Sequence, residues 1–342
     1  MKKIILCGGG TAGHVMPSLA LIPSLRSVFD EIHYVGSVGG MEKDLVESKV
    51  DYYHEIHCVK LKRSLSPKNL LIPFRLAKSV IEARKIINEV EPNVIFSKGG
   101  FVSLPVCLAS KKYPVILHES DFSLGLANKL SLPKCSRLLT SFPINHEKAE
   151  QVGSPLRQEI YHGDKEKARK ICSLYAPLPY LLVTGGSSGA TAINDAVMKN
   201  IPALTKKFNV IHVTGKNKAN ELSLPNYYRT EFLSNMHDFL ALADFAVSRG
   251  GANTLFELVS LRIPSLIIPL PKSGSSRGDQ QDNARYFQEK GLIKVLDQQN
   301  LSSLLTAIDD LVSSKDSLIS NMKNAQSMDG TQKITKILTQ YA

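Results

Sequence analysis

Tryptophan is absent from this 342-residue chain, aromatic residues make up only 7% of it, and cysteine occurs five times. The cysteines, at positions 7, 58, 107, 135 and 172, form no Cys-x-x-Cys pair, and an odd number leaves one over. Neither a disulfide framework nor a zinc ribbon is indicated. No run approaches the roughly 18 apolar residues that a membrane span needs. The opening MKKIILCGGG ends its apolar stretch at Gly8 after four residues, whereas a secretory signal carries about 7–15, so a cytosolic protein is expected. Asp-x-Asp is also missing; the nearest pattern is Glu119-Ser120-Asp121. A metal bridging a diphosphate is therefore not indicated, and neither metal nor cofactor is expected.

What is present is an ordinary globular composition, 43% hydrophobic and 21% charged, which excludes disordered and fibrous classes. At about 150 residues per domain the length suggests two domains. The net charge is +11. Residues 60–85 hold eight lysines or arginines against one acid, Glu82, so seven of those charges lie in one stretch. Such an excess points to an anionic partner: nucleic acid, a phosphate-bearing substrate or an acidic membrane surface. The same stretch carries Leu65, Leu70, Leu71, Ile72, Phe74 and Leu76. It reads either as a helix packing on its own sheet or as a patch that dips apolar groups into a membrane.

Short apolar runs alternate with helical patterns along both halves. KKIILC, EIHYVG, NVIFSK, PVILHE and SRLLTSF read as strands in the first half; PYLLVTGG, FNVIHVTG, ADFAVSRGG, IPSLIIPLP and GLIKVLD do so in the second. Helical segments fit at Met16–Phe29, Asn69–Glu89, Leu104–Lys111, Ala190–Asn200, Thr254–Leu261, Asp279–Lys290, Leu301–Ser314 and Thr331–Tyr341. This rhythm predicts α/β architecture: two Rossmann-like domains with parallel sheets facing a cleft. The boundary falls in VGSPLR (Val152–Arg157), giving domains 1–156 and 157–330. Whether the last helix, about 331–342, packs back on the first domain stays open.

Each half begins with a strand, a glycine cluster and a helix: IILCGGGTAGH (Ile4–His14) and LLVTGGSSGA (Leu181–Ala190). Gly8–Gly13 fits G-x-G-x-x-G, in which backbone approaches phosphate and the helix N-terminus offers free N–H groups. A dinucleotide site also wants an acid after the second strand. Asp30 and Glu31 precede that strand and Gly36 and Ser37 follow it, so NAD binding is disfavoured. His14 lies in the first helical turn, where the helix dipole opposes protonation and a neutral, proton-accepting imidazole is expected. Gly185–Gly189 and Gly250–Thr254, with Glu257 one turn on, suit a nucleoside diphosphate, with loops for phosphates and an acid for ribose hydroxyls. His54-x-x-His57-Cys58 looks like a metal pattern, but residues i and i+3 of a strand face opposite ways. His118-Glu119-Ser120 lacks a nucleophile elbow and is discounted as a hydrolase triad.

With these residues placed, seven motifs in order carry a resemblance along nearly the whole chain: GGGTAGHVMPSLAL, SKGGFVSLPV, LHESDFSLGLANKL, GSPLR, VTGGSSGA, SRGGANTLFE and GDQQDNA. The chain resembles the MurG family, UDP-N-acetylglucosamine–undecaprenyl-diphosphomuramoyl-pentapeptide N-acetylglucosaminyltransferases of peptidoglycan synthesis. The resemblance implies a GT-B fold and inverting transfer of N-acetylglucosamine to the 4-hydroxyl of a muramoyl-pentapeptide on undecaprenyl diphosphate. It places the enzyme peripherally at the cytoplasmic face of the cell membrane.

By the same resemblance, Thr11, Ala12, Gly13 and His14 form the loop at the acceptor diphosphate and donor sugar, with Ala12 where glycine is usual. Arg157 is the hinge arginine and Ser187 the donor-phosphate serine. Leu233 is the position whose backbone reads uracil. Ala252, Asn253, Thr254, Leu255, Phe256 and Glu257 form the ribose segment. Gln280 holds sugar hydroxyls, with Asn283 beside it, and Glu119 is a cleft acid. Ser120 and Asp121 stand where the family more often has Gln-Asn, which adds charge at Asp121, a donor contact. His14 is the expected base and Glu119 the alternative. The expected partners are UDP-N-acetylglucosamine, the lipid-linked acceptor and an anionic membrane surface met by residues 60–85, with no nucleic acid. A glycolipid synthase with a diacylglycerol acceptor is the same-class alternative. A nucleic-acid-binding module is the different-class one, disfavoured because residues 60–85 offer only Phe74 for stacking.

Overall fold

The computed structural model describes residues 1–58, 72–186, 189–216, 223–273, 277–326 and 328–342. The chain divides into two compact units, Met1–Arg157 with Asp329–Ala342, and Gln158–Met328.

The first unit is built on seven strands: β1 (Lys3–Cys7), β2 (Glu31–Ser37), β3 (Tyr52–Ile56), β4 (Val94–Ser97), β5 (Val115–Glu119), β6 (Arg137–Thr140) and β7 (Ala149–Gln151). They are all parallel, in the order β3-β2-β1-β4-β5-β6-β7. Its helices are α1 (Ala12–Leu25), α2 (Glu42–Val46), α3 (Ile72–Val90), α4 (Ser103–Ala109) and α5 (Leu126–Ser131). Strands covered on both faces must be apolar at successive positions. Thus Ile4 and Leu6 join a core with Leu21 and Leu25 of α1, while Ile5 and Cys7 join another with Ala83 and Ile87 of α3 and Val106 of α4.

The second unit has β8 (Tyr180–Thr184), β9 (Asn209–Val213), β10 (Tyr227–Thr230), β11 (Phe245–Ser248), β12 (Ser265–Ile267) and β13 (Lys294–Val295), parallel in the order β10-β9-β8-β11-β12-β13. Its helices are α6 (Lys165–Cys172), α7 (Thr191–Leu204), α8 (Met236–Leu242), α9 (Ala252–Ser260), α10 (Asp279–Glu289), α11 (Leu304–Ser313) and α12 (Lys315–Asn324). The chain then returns to the first unit as α13 (Thr331–Thr339). Ile334 and Leu338 of α13 enter the α1 core, and Thr331 Oγ1 donates to the Leu156 carbonyl at 3.1 Å.

In both sheets the strand order reverses once, beside the first strand. In the first unit that point lies between β1 and β4; in the second it lies between β8 and β11. Ligands of open α/β sheets bind outside the carboxyl ends of the strands at such points. Helix α1 begins at Ala12 rather than Met16, because Thr11 is extended (φ −151°, ψ 154°) and Ala12 already turns. His14 is therefore the third residue of the helix.

Candidate active site

At the first unit's switch point, the loop after β1 meets the loop after β4. Gly10 has φ +86°, and a Cβ there would collide with the Phe101 ring. Only glycine fits that turn. The loop is tied down by Glu42, which is fully buried. Glu42 Oε2 accepts from Gly10 N at 3.3 Å, and its Oε1 accepts from Ser37 N at 2.7 Å and Ser37 Oγ at 2.5 Å. Tyr34 OH donates to the Gly8 carbonyl at 2.9 Å. Beside Gly10 opens a space of about 460 Å³ bounded by Val38, Met41, Cys58 and Phe101.

His14 is half-buried at the start of α1, with Nδ1 2.8 Å from Thr11 Oγ1. When Nδ1–H donates to that oxygen, Nε2 carries the lone pair and can accept a proton. A Cβ on Gly100 would lie 3.4 Å from the His14 ring, so the β4 loop closes directly against the imidazole.

The end of β5 supplies the acid loop. Glu119 is 6% exposed, and its carboxylate accepts from Asp121 N (3.1 Å), Gly125 N (2.8 Å) and Asn128 Nδ2 (2.9 Å). Three donors thus hold the carboxylate in the loop. Lys98, only 2% exposed, follows β4 and donates from Nζ to Ser120 Oγ. Burial pushes its ammonium down to about 8, against the pull of Glu119 and Asp121. His118, fully buried, is held well below the usual histidine range by burial and by the charge of Lys98.

In the second unit the loops after β8 and β11 occupy the equivalent place. Gly189 has φ +69°, and a Cβ on it would strike the Thr214 carbonyl. Asn194 of α7 donates to that carbonyl at 2.9 Å and also lies 3.1 Å from His212 Nε2, while His212 Nδ1 lies 2.9 Å from Tyr227 OH. The loop is thus braced through a buried polar chain. Helix α9 starts directly after Gly250-Gly251, and α7 after Gly189-Ala190. Both direct their N–H groups and positive dipole ends to this rim.

The second-unit residues singled out from sequence divide by exposure. Asn253, Thr254 and Glu257 are half-buried on one side of α9. Ala252, Leu255 and Phe256 are buried, and Phe256 packs edge-on against Phe287 with ring centroids 5.1 Å apart. The side chains of Ala252, Leu255 and Phe256 anchor the helix, and those of Asn253, Thr254 and Glu257 lie on its more open side. Gln280 Oε1 accepts from Leu270 N at 2.9 Å. Asn283 is fully buried and donates to the Gly250 carbonyl at 3.3 Å, so its amide shapes the glycine loop. The Leu233 side chain is buried as well. Ser187 lies outside the described residues.

In the first unit, Thr11 and Gly13 are exposed, and Ala12, Asp121 and Arg157 half-buried. His54 and His57 are engaged separately: His54 Nε2 sits 3.0 Å from His33 Nδ1, and His57 Nδ1 sits 3.0 Å from Glu82 Oε1. Residues 59–71 of the basic stretch lie outside the described residues. The described part, α3, turns Ser79, Ala83, Ile87 and Val90 inward and leaves Phe74, Lys78, Ile81 and Lys85 exposed on the opposite face. Sequence reasoning passed over Lys98, Glu42 and Asn128. A signal for Lys98 existed: a cation in Ser97-Lys98-Gly99-Gly100, directly at the carboxyl end of a central strand.

Comparison with known proteins bears on both units. The family model of the glycosyltransferase family 28 N-terminal domain matches residues 4–140, and that of its C-terminal domain residues 180–338. Two curated relatives bear the name UDP-N-acetylglucosamine--N-acetylmuramyl-(pentapeptide) pyrophosphoryl-undecaprenol N-acetylglucosamine transferase. The one from Clostridium tetani is 41% identical over 99% of this chain and 98% of its own. The one from Lachnoclostridium phytofermentans is 42% identical over the same shares. Among solved structures, MurG of Acinetobacter baumannii superposes with a TM-score of 0.78 at 22% identity, covering 99% of this chain and 100% of its own. The calicheamicin glycosyltransferase CalG4 does so at 0.70 and 14%, covering 100% and 98%. The fold is thus that of two-domain glycosyltransferases, and the chain belongs to glycosyltransferase family 28.

Proposed function

We propose that the protein transfers N-acetylglucosamine from UDP-N-acetylglucosamine to the 4-hydroxyl of a muramoyl-pentapeptide carried on undecaprenyl diphosphate, with inversion at the sugar. The observation that carries this reading is 41–42% identity, over essentially the full length, to relatives named for that activity. In this reading the second unit holds the UDP moiety. The N-terminal ends of α7 and α9 face the diphosphate, Glu257 meets the ribose hydroxyls, the Leu233 backbone meets uracil, and Gln280 meets the sugar. Arg157 and Ser187 join the donor contacts. The first unit, through Thr11 to His14 and the neighbouring glycines, holds the acceptor.

Inversion is a single displacement. The acceptor oxygen bonds to the anomeric carbon as the bond to UDP breaks, and a base removes the hydroxyl proton. His14 suits that role: with Nδ1–H donating to Thr11 Oγ1, Nε2 is the proton-accepting nitrogen. Glu119 is held by three donors, which favours a loop-shaping role over proton transfer. The departing diphosphate gains charge, and oriented helix N–H groups stabilise it there.

The lipid-linked acceptor requires a membrane surface. No helix among the described residues is long and apolar enough to cross one. We place the contact on the exposed face of α3, where Phe74 (75% exposed) and Ile81 (66%) alternate with Lys78 and Lys85. Apolar groups can enter the headgroup layer while the cations meet anionic lipids. In this reading the enzyme works peripherally, at the cytoplasmic face of the membrane. The direct test supplies UDP-N-acetylglucosamine with either lipid-linked muramoyl-pentapeptide or diacylglycerol. Disaccharide on the first acceptor alone supports the proposal; glycosylated diacylglycerol alone would replace it with a glycolipid synthase.

A further inference from the structure

We infer that Lys98 is a positioning residue of this site: its buried ammonium balances the carboxylates of Glu119 and Asp121, so that the acid loop can lie beside a phosphate-bearing substrate without repelling it. The inference rests on the reading of the first unit as a substrate site. A buried ammonium is costly unless opposite charge and hydrogen bonds compensate it. Lys98 is 2% exposed, donates to Ser120 Oγ, and is favoured in its charged form by both carboxylates flanking that serine. The neighbouring His118 is held well below the usual histidine range by burial and by Lys98 itself, so it adds no positive charge beside the acid loop at neutral pH.

The lysine also sits where phosphate would approach. Its N–H donates to the Cys7 carbonyl at 2.8 Å, which ties the β1 and β4 ends together. A Cβ on Gly8 would come within 3.2 Å of Lys98 Cβ, and one on Gly100 within 3.4 Å of the His14 ring. The glycine loops, the base and the acid loop thus share one rim. Without Lys98, both carboxylates would lose that opposite charge.

The test compares Lys98→Met, Asp121→Asn and the double variant. KM and kcat are measured with UDP-N-acetylglucosamine and the lipid-linked acceptor, alongside thermal midpoints. An unbalanced carboxylate repels a phosphate-bearing substrate in ground and transition states alike. Lys98→Met should therefore raise the KM of at least one substrate by about tenfold or more with kcat little changed. Adding Asp121→Asn should recover most of that rise. A lysine with a purely structural role would instead lower the folded fraction, and so kcat, with KM unchanged and no rescue. Unchanged KM in folded Lys98→Met, or a double variant no better than the single one, overturns the inference. If Lys98→Met does not fold, the double variant decides: restored folding supports charge balance, and continued failure overturns it. If the wild type transfers no sugar, the substrate reading fails by itself. The thermal midpoints still decide the pairing, which non-additive changes at 98 and 121 support and additive changes overturn.

Discussion

The two sheets place a glycine loop at the same topological position, yet load it differently. At the first unit's switch point, ionisable side chains crowd the rim: His14 on the helix, Lys98 after β4, Glu119 and Asp121 after β5. At the second, the glycines lead into a helix whose early half-buried positions are Asn253 and Thr254, with Glu257 a turn later. Arg249, the cation nearest the second loop in sequence, is 9% exposed and donates to the Ile268 carbonyl at 3.0 Å. In the proposed reading one scaffold serves proton chemistry in one copy and anion binding in the other, and the difference lies in a few residues at strand ends rather than in the fold.

The strongest way to break that division is at His14. His14→Ala should lower turnover by about 10²–10⁴-fold, the usual worth of a general base, and leave donor affinity in place. Single-turnover rates measured against pH would show the loss; an unchanged rate would move the proton chemistry elsewhere.

A second test concerns the brace of the second-unit loop. Burial pushes His212 down to about 4. In the unfolded chain a histidine titrates near 6.5, so the unfolded state binds the proton first as pH falls. The stabilising contribution is complete above about pH 6.5 and is lost as pH drops towards 4, amounting to up to about 3 kcal/mol. Urea unfolding at pH 7 and pH 4.5 should show that fall, and His212→Gln should flatten it. An equal pH slope in the variant would remove His212 from the account.

Glu257→Ala should weaken UDP binding by roughly 10- to 150-fold, the 1.5–3 kcal/mol of a hydrogen bond to a charged group. The smallest effect is expected at the surface of α3. Its ion pairs Lys78–Glu82 (3.9 Å) and Lys85–Glu89 (4.0 Å) are exposed and weak, so the lysines can turn to lipid. Changing Arg75, Lys78 and Lys85 to glutamate should reduce sedimentation with anionic vesicles several-fold, at about 1 kcal/mol per cation before salt screening. Sedimentation equal to wild type would assign the membrane contact to another face.

Much of the fold was legible in the sequence, because interior parallel strands are apolar on both faces and announce themselves as runs. The strands that escaped, β3, β7 and β10, are all sheet edges. YYHEI, AEQ and YYRT are half-solvated and carry no apolar run. Helices α6 and α12 escaped for a related reason: each buries only two residues four apart, Ala168 with Cys172 and Leu318 with Met322. At the site, local motifs marked the glycine loops and His14. Lys98 was invisible as a partner of the acid loop because the pairing joins residues 22 positions apart through neighbouring strands. The buried side of α9 was legible from Ala252, Leu255, Phe256 and Val259, which repeat at helical spacing.

The division of labour is tested most directly by titrating UDP into the wild type, His14→Ala and Glu257→Ala, and measuring single-turnover transfer in the same three proteins at saturating donor. The expected result is a crossed pattern. His14→Ala binds UDP like the wild type and transfers about 10²-fold slower or worse, whereas Glu257→Ala binds UDP weakly and transfers, once saturated, at nearly the wild-type rate. Loss of UDP affinity in His14→Ala together with unaltered affinity in Glu257→Ala would contradict it.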